Sequence, residues 1–178
     1  LALPFATKIP YEETEVQPAH GNAANAAVAM SRLGLRVAYQ TYVGGDQMGR
    51  ETIRVFQKEK VDTRFITIEN EEMTNINFLV SFKAERTILT KHNDFDYEWP
   101  HFRKKEMPRW LYFSSLSENA ADYHDEIADW LEAHPEVKMA FQPGTWQMKA
   151  GVERLKRIYA RAEVVIMNRQ EAAFVTGG

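Results

Sequence analysis

Extended apolar runs and helix-periodic runs take turns along most of this chain, and one stretch of two-residue alternation interrupts them. That order constrains the fold more than any other feature, because strands separated by helices are joined as parallel crossovers. Residues 22–33 are Ala-rich, with small or apolar side chains at Ala26, Ala27, Met30 and Leu33, which predicts a closely packed helix closed by Gly34. Residues 37–43 read as a strand, 46–58 as an amphipathic helix with Asp46 at its N-cap, and 61–68 as a further extended segment. The rhythm resumes with a strand at 110–113, a helix at 119–133 capped by Ser117 or Asn119, a strand at 137–141 and a helix at 148–160. The run 163–167 (EVVIM) is the pattern of a strand covered on both faces, and a last helix starts near Asn168. The expected fold class is therefore α/β, a doubly wound, mostly parallel sheet.

The interruption spans residues 74–92. Ile76, Phe78, Val80 and Phe82 alternate with Asn77, Leu79, Ser81 and Lys83, Ala84-Glu85 turns the chain, and 86–91 returns as a second strand. This predicts an antiparallel hairpin inserted in the α/β core, with residues 12–17 as a third strand of the same small sheet.

Composition matters mainly for what it excludes. The 178 residues suit one domain, and the net charge of −3 comes from 22 basic and 25 acidic residues scattered along the chain. No basic footprint for nucleic acid and no polybasic membrane patch results. Cysteine is absent, which removes disulfides, thiolate metal sites and a cysteine nucleophile, and fits a reducing cytoplasmic setting. There is no apolar window of about 18 residues, and the apolar opening at residues 1–5 is too short for a signal peptide and lacks a basic leader. The five histidines show no zinc-ligand spacing. With no initiator methionine and no polar tail after the last βα unit, the chain is expected to be part of a longer protein.

Three motifs carry chemistry. In His20-Gly-Asn-Ala-Ala-Asn25, Gly21 permits a tight entry to the Ala-rich helix, while Asn22 and Asn25 offer amides that both donate and accept. Such groups suit a sugar hydroxyl, and the plainer alternative is that Asn22 caps the helix. Val43-Gly-Gly-Asp46, with Gly49 following, lacks the Gly-Lys-Ser/Thr ending of a phosphate loop and the spacing of a dinucleotide fingerprint, so it reads as a structural strand-to-helix turn. Asn168-Arg-Gln-Glu171 begins where the strand EVVIM ends, at a strand's carboxyl end where doubly wound sheets bind ligands. Its carboxylate is placed to hold a hydrated Mg²⁺ through water and its amide to reach a phosphate oxygen; the alternative is a helix capping box.

Taken in order, GNAANAAVAMSRLG, VGGDQMG, a hairpin containing ERTIL, a Pro-Gly after a strand, and VVIMNRQEA resemble the PfkB (ribokinase-like) carbohydrate kinase family from about Ile9 to Gly178. The resemblance implies transfer of the γ-phosphoryl of ATP, with Mg²⁺, to a sugar hydroxyl, beneath a β lid that often serves as a dimerisation surface. On it, residues 1–178 are a partial kinase domain with lid strands at about 12–17 and 74–92. Gly21, Asn22, Asn25 and the lid residue Asn77 become the expected sugar contacts, Asn168 and Glu171 the ATP-side groups, and Glu171 the metal ligand through water. The catalytic base and most of the adenine pocket are expected beyond Gly178, and the family's first strand before the chain. This sequence departs from the family in carrying His20 before Gly21 and Gln142 before Pro143-Gly144. A nucleoside kinase and a non-catalytic sugar-binding module remain as alternatives.

Overall fold

The structure, a computed structural model, describes residues 6–177, so the apolar opening at 1–5 and Gly178 lie outside the described residues. Helix α1 (Asn22–Arg32) leads to strand β1 (Thr41–Gly44), helix α2 (Gln47–Lys58) and strand β2 (Ile66–Glu69), and then to the hairpin β3 (Asn77–Phe82) and β4 (Glu85–Thr90). The second half runs β5 (Trp110–Phe113), α3 (Ala121–Ala133), β6 (Lys138–Phe141), α4 (Thr145–Arg154), α5 (Lys156–Arg161), β7 (Ala162–Val165) and α6 (Arg169–Thr176). β1 pairs in parallel with β2, and β5, β6 and β7 form a parallel sheet in that order. The hairpin is a separate antiparallel pair. The fold is α/β, with parallel sheets and a small antiparallel piece, as the alternation predicts.

Each parallel sheet has its own core. Ala24 and Ala27 of α1 pack with Phe56 of α2 and Val61, and the two alanines let the helix sit close to its neighbours. The larger core joins Ile127, Ala128 and Leu131 of α3 to Met139 and Phe141 of β6 and Ile158 of α5. Phe56, Leu131 and Phe141 are fully buried, each worth roughly 1.5–3 kcal/mol relative to exposure.

Several expected boundaries move. Residues 12–17 form no strand: all six are exposed, and Val16 is their one apolar side chain, so pairing would order the backbone without burying surface. The hairpin turns at Lys83-Ala84, because Phe82 pairs with Glu85. The helix expected at 148–160 starts at Thr145 and divides at Gly151, whose φ is 85°. Neither Ser117 nor Asn119 caps α3; a 3₁₀ turn at Glu118–Ala120 precedes it. Within the described residues the run 163–167 is not covered on both faces: β7 pairs with β6 alone, and Val164, Val165 and Ile166 are exposed.

Candidate functional site

The first turn of α1 is opened by Gly21 at φ 116° and ψ 169°, a conformation that side-chain-bearing residues rarely adopt. Gly21 rather than Asn22 is the N-cap, which removes the capping reading of Asn22. The Asn25 amide donates to the Gly21 carbonyl at 2.8 Å, while the side chains of Asn22 and Asn25, three residues apart on one helix face, are exposed. At the other end of α1, Ser31 donates to the Glu59 carbonyl and Arg32 pairs with the Glu59 carboxylate. Glu59 follows the last turn of α2, so the free first turn of α1 lies away from that end.

Gly44, Gly45 and Gly49 build an elbow that grips the base of the hairpin. A Cβ on Gly44 would lie 2.3 Å from the Glu72 carbonyl oxygen, and one on Gly49 would lie 2.2 Å from the Gly44 carbonyl oxygen. Asp46 caps α2 by accepting the Gly49 amide at 2.8 Å and also accepts the Thr74 hydroxyl at 2.7 Å and the Thr74 amide at 2.9 Å. The Thr74 hydroxyl in turn accepts the Gly44 amide at 3.0 Å. Burial pushes the Asp46 carboxyl up, but these hydrogen bonds and nearby Arg50 more than reverse it, holding the pKa below the ordinary value. The motif is a strand-to-helix turn, as its spacing predicts, and it also ties down the base of the hairpin through Thr74.

The outgoing side of the hairpin base is tied as firmly. The Asn93 amide donates to Asn75 Oδ1 at 2.7 Å, and its side chain donates to the Met73 carbonyl. Asn119 donates to the Asn93 carbonyl and to Asp94 Oδ1, both at 2.9 Å, which anchors the hairpin to the turn before α3. One hairpin face carries the cross-strand pair Phe78–Leu89 and, with Met73, Thr74, Ile76 and Asn93, lines an open hollow of about 260 Å³. Asn77 pairs with Thr90 and stands on the opposite face, with the exposed pair Leu79–Ile88.

The carboxyl ends of β5, β6 and β7 gather a second set of polar groups. Ser114, just past β5, is buried and its hydroxyl is unpaired. Past β6, Gln142 accepts the Tyr112 hydroxyl, and the Gly144 amide donates to Gln147 Oε1 at 2.6 Å. Gln147 Nε2 lies 3.1 Å from the Ser114 carbonyl and 3.0 Å from His124 Nε2. His124 Nδ1 lies 2.6 Å from the Ala120 carbonyl, which can only accept, so Nδ1 carries the proton and Nε2 accepts from Gln147. Burial lowers the His124 pKa; the Ala120 bond raises it, Arg154 lowers it and Asp125 raises it, with a net shift downward.

Beyond β7, Asn168 and Glu171 form a reciprocal capping box: the Glu171 amide donates to Asn168 Oδ1 and the Asn168 amide to Glu171 Oε2, both at 2.9 Å. The box leaves Glu171 Oε1 and the Asn168 NH₂ group without a described partner. Cap and ligand-facing roles are thus compatible. No group of three or more His, Cys, Asp or Glu gathers for a metal among the described residues.

Parallel βα units, an antiparallel hairpin tied at its base, and polar groups along the strands' carboxyl ends define the ribokinase-like class of α/β proteins. The chain belongs to the pfkB family of carbohydrate kinases, whose pattern it matches over residues 5–178. Ribokinase from Haemophilus influenzae is 37% identical over 70 residues, covering 39% of this chain and 23% of that protein. A fructokinase from Vibrio cholerae in a fructose-, ADP- and calcium-bound form shares the fold with a TM-score of 0.66 at 22% identity, covering 88% of this chain and 55% of that one. An uncharacterized sugar kinase from Pyrococcus horikoshii in complex with ATP gives 0.66 at 20% identity, covering 88% and 56%. The chain therefore spans less than two thirds of each of these relatives.

The sequence reading missed the Asp46–Thr74 tie and the His124–Gln147 pair. The only local signal was for Gln147 itself, which follows Gly144 by three residues, the spacing of a helix-start box; nothing local points to His124.

Proposed function

We propose that the full-length protein transfers the γ-phosphoryl group of ATP to a sugar hydroxyl, with Mg²⁺, in a cytoplasmic setting. The observation that carries this reading is that Asp46, just past the carboxyl end of β1, holds Thr74 at the base of the hairpin, while Asn168 and Glu171 stand just past the carboxyl end of β7. Gly21, Asn22, Asn25 and Asn77 are the proposed sugar contacts. Asn22 and Asn25 suit groups that donate and accept at once, and Asn77, on the outer hairpin face with Leu79–Ile88, would reach only a sugar held by a facing second subunit. Asn168 is assigned to the phosphate side.

A cation fits the donor set at Glu171, because one carboxylate oxygen is spare and Mg²⁺ habitually takes one or two carboxylates with water and phosphate completing its shell. When bound, it would neutralise charge on the phosphates. The chain's own residues orient the acceptor at α1, cover it with the hairpin to exclude water, and position phosphate through Asn168. The base that removes the acceptor proton is assigned to chain outside residues 1–178, so these residues alone are expected to be catalytically silent. The outer pair Leu79–Ile88 supports a homodimer through the hairpin. The exposed Phe78 ring on the inner face supports a nucleoside acceptor as the second reading, since a base can stack on it.

ADP release by the full-length protein against sugars, sugar acids and nucleosides tests the proposal. Turnover with a sugar supports it, turnover confined to nucleosides selects the second reading, and ligand binding without ADP release supports a binding module.

A further inference from the structure

A second hollow lies at the opposite end of α3 from the hairpin base. Asn119, just before this helix, is bonded to that base, whereas Trp130 and His134 end the helix, about 20 Å further along at 1.5 Å per residue. The hollow has a volume of about 580 Å³, within the range of small-molecule sites. Its wall includes Trp99, Phe102 and Trp130, whose ring centroids are 5.3–5.8 Å apart and whose planes are inclined by 54–67°, forming a corner rather than a stack. All three rings are half-buried, so each is still part of an open surface.

Apart from the imidazoles of His101 and His134, charge at this hollow has one sign. Glu98 and Glu126 line it, and no lysine or arginine does. The ion pairs of this region join Arg64 and Arg103 to Glu106 instead, so neither Glu98 nor Glu126 has an ion-pair partner among the described residues. Glu126 accepts the Trp99 amide at 3.0 Å, which fixes one carboxylate against the aromatic corner. His134 closes one side of the corner, its ring stacked on Trp130 at 4.6 Å, and the carbonyl end of α3 is already occupied, the Trp130 carbonyl by His134 Nδ1 and the His134 carbonyl by Arg161. Aromatic rings and two carboxylates without ion-pair partners attract a cation, and aromatic walls favour one with a weakly hydrated, apolar shell.

We propose that this hollow binds a small organic ammonium ion, its charged end against Trp99, Phe102 and Trp130 and balanced by Glu98 and Glu126. The site is independent of the phosphoryl-transfer reading.

Choline chloride is the probe, and 3,3-dimethyl-1-butanol, its uncharged isostere, is the control. Binding to the full-length protein is followed by tryptophan fluorescence and calorimetry at constant ionic strength. The expected result is saturable choline binding at about millimolar concentration or below, at least tenfold weaker binding of the isostere, and a loss of about tenfold in Glu126→Gln. Trp130→Phe keeps a ring in place and should weaken binding, whereas Glu153→Gln, outside the hollow, should leave it unchanged. No saturable choline binding by the wild type, equal binding of the isostere, or full binding by both Glu126→Gln and Trp130→Phe would overturn the proposal.

Discussion

Asn25 is the residue at which the proposed chemistry is most exposed to test, since its backbone is spent on the Gly21 carbonyl while its side chain is free to meet a ligand. Asn25→Ala in the full-length protein should weaken sugar binding by about 1–3 kcal/mol and leave ATP affinity unchanged, measured by calorimetry. His124 makes a different prediction. Its folded pKa lies below the ordinary value, so below roughly pH 6.5 the unfolded chain takes up a proton that the folded chain resists. Stability should be unaffected by this residue above that pH and fall as pH drops through it, by up to about 1.4 kcal/mol per pH unit, until the folded group also protonates. Melting curves from pH 7.5 to 5 should show this fall in the wild type and a shallower one in His124→Gln. Equal slopes would mean that His124 is not held neutral by its burial.

The elbow and the hairpin form the element on which the account leans most. Gly49→Ala places a methyl 2.2 Å from the Gly44 carbonyl oxygen, a backbone atom that cannot swing aside, and should cost about 1–3 kcal/mol. Thermal melting should drop, and limited proteolysis should cut the hairpin faster. On the outer hairpin face, Leu79→Lys should convert a dimer to a monomer in sedimentation, and a wild type already monomeric at micromolar concentration would remove the lid-dimer proposal. The helices were legible in the sequence because 3.6-residue patterns report burial directly, as for the α2 helix with its Asp46 cap, whereas the continuous apolar run 163–167 marked a strand without marking its burial. The strand expected at 12–17 shows the limit of that reading, since β propensity without burial does not make a strand. In the candidate site, Gly21 and the Asn168–Glu171 pair were legible from local spacing. The Asp46–Thr74 and His124–Gln147 bonds were not, because they join residues 28 and 23 positions apart.

Across the whole molecule, two parallel sheets with separate cores are joined by an aromatic segment: Phe95 and Tyr97 pack on Tyr42 beside β2, and Tyr97 and Trp99 pack on Tyr123 of α3. The Tyr42 hydroxyl fixes that segment by donating to the Glu98 carbonyl at 2.8 Å and accepting the Glu98 amide at 2.6 Å. Among the described residues β7 pairs with β6 alone, with Val164 and Val165 exposed, and Phe174 of α6 is exposed nearby in sequence. The most direct measurement is transfer of labelled γ-phosphate from ATP to sugar by the full-length protein, wild type beside Glu171→Gln, across a Mg²⁺ titration. The expected result is a labelled sugar phosphate from the wild type, and from Glu171→Gln a lower turnover with a raised Mg²⁺ requirement. No transfer to any sugar by the wild type, or an unchanged Mg²⁺ requirement and turnover in Glu171→Gln, would contradict it.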